Sequence, residues 1–259
     1  MYLARGAEDG YLERFQTFVQ SYKSFPAGIE HQLVIIFKGF KGAEQLRNGL
    51  RVFSSLDFVP VHTADLTFDI GAYLDAAKQM DAQRICLLNT NSEIIGHDWL
   101  AKLSNNLDLK NVGVVGATGS FESLKVVDRR FPDFPNVHIR SNAFMIQREL
   151  LVDILSSYSI RTKVDAWFAE SGEESITRRV FRIGRTALIV GRDGRGYHPN
   201  NWPRSLTYRQ GDQSNLLVTD NVTRAFDQSP WEEKKELSFS AWGNYIGSTV
   251  VEMTPEAQS

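Results

Sequence analysis

The sequence predicts an α/β fold, a mostly parallel β-sheet with helices on both of its faces. Two observations support this prediction. Short apolar runs alternate with stretches that carry apolar residues at helical spacing. Three or four such strand–helix units follow one another up to residue 115. Units of this kind are joined by right-handed crossovers, which place the helices on the faces of a parallel sheet.

Residues 2–88 contain four predicted strands and three predicted helices, and a short helix that carries Trp99 and Leu100 is expected after them. The strands are expected at residues 2–4, 33–37, 58–61 and 84–88, and the helices at residues 9–22, 42–50 and 68–80. The run 33–37 is apolar throughout, as is typical of a central parallel strand. Asp69 is expected to be the N-cap of the third helix, because a short acceptor side chain satisfies free backbone N–H groups there.

The pattern changes after residue 111. Strands are predicted at residues 112–115, 142–146 and 186–190, with a helix at 149–158 and a long polar loop at 191–203. A charged helix is expected from residue 220, and its run of charges at 232–236 should face solvent. No linker separates these segments, so we expect one domain with two halves, about 1–115 and about 116–259.

Composition excludes several classes of protein. The chain has 259 residues, of which 42% are hydrophobic and 23% charged, as in ordinary globular domains. The net charge of -2 gives no electrostatic footprint for nucleic acid. No apolar run approaches the ~20 residues that span a bilayer. Cys86 is expected to be a buried, inert thiol. We expect a cytoplasmic protein, and contact with the inner face of the membrane stays open.

Polar residues follow several of the predicted strands. Ligands of open α/β sheets bind beyond the carboxyl ends of the strands. The residues at those ends are Arg5, Lys38, Asp65, Asn89 and Asn91. The two asparagines offer neutral amide oxygens, which Mg²⁺ and Mn²⁺ bind less well than carboxylates. They would hold a metal weakly, contact ribose or phosphate directly, or serve only the geometry of a polar turn.

A second polar segment, residues 165–179, is rich in carboxylates. Asp165, Glu170, Glu173 and Glu174 are candidates for a general base that takes a proton from an attacking hydroxyl group. The alternative is helix initiation, because acidic residues stabilise the first turn of a helix. In that case Ser171 or Ser175 would be the N-cap.

Two further segments carry groups that could hold a ligand. Arg192, Arg195 and His198 lie in the glycine-rich loop after the strand at 186–190, and cationic donors in such a loop suit a diphosphate. His138, Arg140 and Asn142 alternate, so they are predicted to project from one face of a strand. That face would be either exposed polar surface or a row of hydrogen-bonding groups for a sugar.

Four segments, in this order, resemble GT-A glycosyltransferases, most closely family 2-like bacterial enzymes of polysaccharide and lipopolysaccharide synthesis. The first is Tyr2-Leu-Ala-Arg5, and the second is Leu87-Leu-Asn-Thr-Asn-Ser-Glu93 with Trp99-Leu100. The third is Ser141-Asn-Ala-Phe-Met-Ile-Gln-Arg148, and the last is 170–184, around the family's catalytic Glu-Asp motif. The ordered likeness covers roughly residues 2–200. Asn89 and Asn91 stand at the positions of the family's Asp-x-Asp motif.

The resemblance implies a nucleotide-sugar donor, a saccharide acceptor and inverting transfer. Residues 1–115 would bind the donor, and 116–259 would form the acceptor half with a C-terminal extension. The implied donor contacts are Ala4, Arg5, Lys38, Asp65, Asp69, Asn89, Asn91, Arg192 and Arg195. The implied acceptor contacts are His138, Arg140 and Asn142, and the base is one of Glu170, Glu173 and Glu174. A divalent metal, Mn²⁺ or Mg²⁺, would bind weakly at Asn91 and His198.

Two other functions remain open. A non-catalytic relative could bind a nucleotide or glycan as a partner subunit, and the two asparagines favour that alternative. A nucleotidyltransferase would need a basic, glycine-rich phosphate loop after the first strand. The segment Gly6-Ala-Glu-Asp-Gly10 is acidic and does not meet this requirement.

Overall fold

An eight-stranded sheet forms the centre of the fold, and helices cover both of its faces, as the sequence predicts. The computed structural model describes residues 1–63 and 68–246. The strands there are β1 (Tyr2–Arg5), β2 (Val34–Lys38), β3 (Val59–His62), β4 (Arg84–Leu88), β5 (Glu93–Ile94), β6 (Val112–Gly116), β7 (Gly119–Ser120), β8 (His138–Ile139), β9 (Ala143–Gln147), β10 (Thr186–Val190), β11 (Gly196–Tyr197) and β12 (Val218–Thr219).

The helices in the same ranges alternate with the strands from β1 to β4, and after β4 strands and helices come in groups. The helices are α1 (Tyr11–Ser24), α2 (Ala43–Phe53), α3 (Asp69–Gln79), α4 (Trp99–Leu107), α5 (Arg148–Ser156), α6 (Lys163–Ser171), α7 (Ile176–Arg182), α8 (Asn221–Gln228) and α9 (Trp231–Trp242). Two short 3₁₀ helices lie at Pro199–Arg204 and Gly243–Tyr245. No helix among the described residues is both long enough and apolar enough to cross a bilayer.

The order of strands in the large sheet is β11-β10-β6-β9-β4-β1-β2-β3. Six of these strands run in the same direction, and β11 is antiparallel at one edge. β9 is antiparallel to both β4 and β6, between which it lies. The two halves of the sequence therefore share one sheet, and the start of β9 lies at the same edge as the carboxyl end of β4.

The sheet separates two apolar cores. The core on one face contains residues of α3, α5, α6 and α7, and the core on the other contains residues of α1, α2 and α4. Trp202 and Trp242 are buried in the first core together with Phe121, so the C-terminal part of the described chain belongs to the same packed unit. Cys86 is buried, as predicted, and burial raises the pKa of its thiol to about 11.

The start of α3 differs from the prediction by one residue. Phe68, in extended conformation, is the N-cap, and Asp69 is already helical. Asp69 therefore contributes a negative charge to the first turn of the helix, where the helix dipole favours it. The predicted solvent exposure of the charge run in α9 is confirmed, since Glu232 and Glu233 are exposed.

Candidate functional site

The turn after β4 is fixed by hydrogen bonds to both neighbouring strands. The Asn89 amide donates to the Asn142 carbonyl at 3.1 Å, and the Thr90 hydroxyl donates to the Leu3 carbonyl at 2.8 Å. The side-chain oxygen of Asn89 accepts from the Asn91 amide at 2.9 Å and from the Ser92 hydroxyl at 3.0 Å. Asn89 thus stabilises the turn through its own side chain, as asparagines in such turns do.

Asn91, on the same turn, is in contact with two guanidinium groups. Its Oδ1 accepts a hydrogen bond from Arg14 of α1, and its backbone carbonyl accepts one from Arg224 of α8 at 3.2 Å. Arg224 also pairs with Glu93 at 3.1 Å. Beside these residues lies an open groove with a volume of about 540 Å³. Its walls are formed by Asp9, Gly10, Glu13, Arg14, Thr17, Gln20, Thr90, Asn91, Glu93 and Arg224.

The donor atoms of this turn do not fit a divalent metal ion. Both asparagine side-chain oxygens already accept hydrogen bonds, and the positive charges of Arg14 and Arg224 would repel a cation at Asn91. His198 is exposed and follows β11. Four strand spacings, ~19 Å, separate β11 from β4. Within residues 1–63 and 68–246, no three His, Cys, Asp or Glu side chains are grouped to hold a metal.

Glu170 lies in the last turn of α6 and reaches the start of β9. Its Oε2 accepts hydrogen bonds from the backbone amide of Ser141, at 3.2 Å, and from the Ser141 hydroxyl. A small recess beside it is lined by Ile70, Val114, Ile139, Ser141, Phe144, Glu170, Ile176 and Thr177. Because Ser141 precedes Asn142, the fold brings Glu170 to the same edge of the sheet as Asn89.

The other carboxylates of this segment serve the helices. Asp165 forms a capping box with Thr162 at the start of α6. Ser175 is the N-cap of α7, as one alternative predicted, whereas Ser171 is the last residue of α6. Just before that cap, Glu173 pairs with Arg178 at 3.0 Å, and Glu174 pairs with Arg179 at 3.3 Å and with Arg182.

The prediction that His138, Arg140 and Asn142 share one face of a strand is wrong. β8 ends at Ile139 and β9 begins at Ala143, so a turn separates the three residues. That turn is held by Thr118, whose carbonyl accepts from the Arg140 amide at 3.1 Å and whose hydroxyl donates to Asn142 Oδ1 at 2.5 Å. The three residues are nevertheless close to the site, because the turn leads directly into β9.

His138 is buried and Arg140 is partly buried, and both lie close to charged groups. Arg140 pairs with Asp220 at 3.2 Å, and its guanidinium lies 4.3 Å from the centroid of the Tyr208 ring. His138 donates from Nδ1 to the Asn136 carbonyl at 2.8 Å. Burial lowers the pKa of His138, and the nearby Glu170 carboxylate opposes this effect only in part. The imidazole is therefore neutral at pH ~7.

The implied donor contacts lie in different places. Arg5 ends β1, pairs with Glu8 at 2.9 Å, and has Asp69 at 3.8 Å. Lys38 is buried at the end of β2. Ala4 is buried in β1 within the core shared with α1 and α2. Asp65 lies outside the described residues.

The glycine-rich loop is tied to another part of the molecule. Arg192 donates from Nε to the Leu216 carbonyl at 3.1 Å, and Asn106 of α4 donates to the Gly194 carbonyl at 3.0 Å. Arg192 and Arg195 are both exposed. The loop is thus tied to α4, to the 215–216 segment and, through Trp202, to Phe121.

Several buried polar atoms at or near this edge have no hydrogen-bond partner among the described residues. They are Arg5 Nε, Thr63 Oγ1, Tyr73 OH, Arg140 Nη1 and Asn142 Nδ2. A buried polar group without a partner destabilises a fold by roughly 1–3 kcal/mol, so such groups are uncommon. In the described chain, buried polar atoms without a partner also occur at Trp99 Nε1, Arg178 Nε and Arg209 Nε, so such atoms do not by themselves define a ligand site.

Sequence reasoning did not identify five residues of this site. They are Arg14, Thr118, Ser141, Asp220 and Arg224. Arg14 occupies an ordinary polar position in an amphipathic helix, and Asp220 and Arg224 lie in a segment that resembles no motif. Only Ser141 could have been found from the sequence, because it is the first residue of the segment 141–148 that resembles the family.

Comparisons with known proteins bear on the fold. No protein-family model matches the sequence, and no curated protein sequence matches it. Among solved structures, a mannosyltransferase from Pyrobaculum calidifontis in complex with GDP-mannose and Mn²⁺ matches over 100% of this chain and 74% of its own. The TM-score is 0.50 and the sequence identity 13%.

Two further matches are more distant. Mouse xyloside xylosyltransferase 1 matches over 71% of this chain and 80% of its own, with a TM-score of 0.41 and 10% identity. The 4-diphosphocytidyl-2C-methyl-D-erythritol synthase of Anaerococcus prevotii matches over 65% and 78%, with a TM-score of 0.44 and 12% identity. At such identities a likeness shows the fold alone. From the match to the mannosyltransferase, the chain has a GT-A-like α/β fold.

Proposed function

We propose that the protein is a glycosyltransferase that moves a sugar from a nucleotide-sugar donor to a saccharide hydroxyl with inversion, and that Glu170 is its general base. The observation that supports this most is the position of Glu170. Both of its hydrogen bonds from Ser141 go to Oε2, so within the described residues Oε1 remains available to a substrate hydroxyl. The free donors Arg140 Nη1 and Asn142 Nδ2 lie on the same turn as Ser141 and would orient the acceptor.

The reaction needs one proton transfer and one displacement. The acceptor oxygen attacks the anomeric carbon while Glu170 takes its proton, and the bond from that carbon to the leaving phosphate oxygen breaks. The electron pair of that bond leaves with the nucleotide. Arg5, at the end of β1, and Asp69, at the start of α3, would contact the donor nucleoside. The resemblance stated above makes polysaccharide or lipopolysaccharide synthesis the context of this proposal.

The test is a donor screen followed by a matched pair of variants. UDP-, GDP-, CMP- and dTDP-sugars are screened by thermal shift, since a ligand at ~100 times its dissociation constant adds about 2.7 kcal/mol of stability. Release of free nucleotide with saccharide acceptors is then measured for wild type, Glu170→Gln and the exposed control Glu232→Gln. Glu170→Gln should lower turnover by about 10²–10⁴-fold with donor binding nearly unchanged.

A second candidate function is a non-catalytic nucleotide- or glycan-binding subunit. It is favoured by asparagines at both Asp-x-Asp positions. A donor that binds but is not turned over with any acceptor, or full turnover by a folded Glu170→Gln variant, would count against the assigned base. The first of these outcomes would favour the binding subunit.

A further inference from the structure

We propose that Arg14 and Arg224 take the place of a divalent metal and bind the diphosphate of the ligand in the groove beside Asn91. The identity of that ligand as a nucleoside diphosphate rests on the proposed function. The binding chemistry, two guanidinium groups facing a pyrophosphate, rests on the geometry of the turn. Ligands of this class would therefore bind without metal.

The two arginines approach Asn91 from different helices. Arg14 is held by the Asp9 carbonyl, which accepts from Nε at 3.1 Å, and by Asn91, which accepts from Nη1. Arg224 is held by Glu93 and by the Asn91 carbonyl. A guanidinium has five N–H donors, and these contacts use two on each side chain. The remaining donors belong to residues that line the groove, and guanidinium forks match phosphate oxygens well.

The groove also carries three carboxylates, Asp9, Glu13 and Glu93, which oppose an anion. Glu93 is neutralised by Arg224 at 3.1 Å. Asp9 and Glu13 are exposed, so solvent and salt screen their charges. The N-cap of α1 is Gly10, which has no side chain to accept from the first-turn N–H groups, and this positive end of the helix dipole also opens on the groove.

The metal that GT-A enzymes commonly use does not fit here. At the Asp-x-Asp positions its ligands would be Asn89 and Asn91, whose oxygens accept hydrogen bonds, in one case from Arg14. The nearby Glu93 carboxylate, which could also serve a metal, is paired with Arg224. A cation at that place would share the space with two guanidinium groups of the same sign. The same two charges stabilise a diphosphate, so the substitution of asparagine for aspartate and the presence of the arginines have one explanation.

The test is calorimetric titration of inorganic pyrophosphate, UDP and GDP into the full chain, with EDTA or with excess Mn²⁺. Wild type should bind pyrophosphate equally well in both buffers. Arg14→Gln and Arg224→Gln should each weaken binding roughly 10- to 100-fold, the effect of one charged hydrogen-bonding group. Arg14→Lys should restore part of the affinity. Arg129→Gln, an exposed arginine between β7 and β8, should bind like wild type. Glu13→Gln should bind more tightly.

Three results would overturn the inference: no pyrophosphate binding by wild type, binding strengthened tenfold or more by Mn²⁺, or unchanged binding by folded variants at both arginines. Thermal melts establish that the variants are folded. The outcome is separable from that of the proposed function, because pyrophosphate binding requires no sugar transfer. A chain that binds pyrophosphate through these arginines without transferring sugar supports the inference and contradicts the proposed function. Sugar transfer that depends on Mn²⁺ would support the proposed function and contradict the inference.

Discussion

His138 is a buried imidazole with charged neighbours. Burial disfavours its protonated form, while the carboxylates of Glu170 and Glu122 favour that form and Arg140 opposes it. The net effect is a pKa below that of the unfolded chain, which is ~6.5. As the pH falls below that value, the unfolded state takes up a proton that the folded state does not, so the free energy of unfolding falls. Above it, the contribution of His138 is constant.

We therefore expect stability to decrease as the pH is lowered from ~7.5 to ~5.5, and His138→Gln to remove part of that decrease. Urea unfolding at several pH values measures it. His97→Gln, at an exposed histidine, is the control for the substitution itself. A folded His138→Gln variant with the same pH dependence as wild type would show that another group is responsible.

Helix α6 connects an exposed cap to the proposed catalytic group. Its N-cap, Thr162, accepts from the Asp165 amide at 3.1 Å, and Asp165 accepts from the Thr162 amide at 2.8 Å. Thr162→Ala should lower the free energy of unfolding by about 1 kcal/mol, the usual effect of losing a cap, whereas Thr162→Ser should keep most of it. Chemical denaturation measures both. Equal midpoints for the two variants would contradict a stabilising role for this cap.

The elements of this chain were predictable to different degrees. The strands β1 to β4 could be placed within about a residue, because each is an apolar run with polar ends. The antiparallel direction of β9 could not be predicted, because an apolar run does not indicate whether its strand is parallel or antiparallel to its neighbours. In the segment 165–179 one helix start was predicted, at Ser171 or Ser175, whereas α6 ends at Ser171 and α7 begins at Ile176.

The candidate site was predictable only where local sequence defines it. The Asn89 turn and Glu170 are local features, and their place at one edge follows from the fold. Arg14 and Arg224, by contrast, meet the turn across 77 and 133 residues of chain. Contacts of that range are set by tertiary packing, and no spacing in the sequence encodes them.

Aromatic residues of the C-terminal part of the described chain contribute to the core of the whole molecule. Trp242 is buried, lies 5.2 Å from Phe121 between ring centroids, and donates from its indole N–H to the Tyr208 carbonyl at 2.8 Å. Trp242→Ala should lower the free energy of unfolding by about 3–5 kcal/mol. Trp231→Ala is the matched control: Trp231 is 68% exposed, and its loss should change stability by less than about 0.5 kcal/mol.

Differential scanning calorimetry of these variants also tests the number of domains. If the described residues form one packed unit, Trp242→Ala should lower the midpoint of a single cooperative transition. A second transition that responds alone to Trp242→Ala would mean that the C-terminal part folds separately from the sheet.

The position of β9 has a consequence for the timescale of motion at the site. Its backbone amides and carbonyls pair with β4 on one side and β6 on the other. Because β4 and β6 are themselves inside the sheet, β9 is not exposed by fraying of an edge strand. Amide hydrogens in β9 should therefore exchange with solvent only when the whole domain unfolds. Ser141 and Asn142 immediately precede this strand. The groups that would orient the acceptor are thus next to a strand whose amide hydrogens should exchange slowly. Any conformational change that fits the site to different substrates would then occur in the surrounding loops.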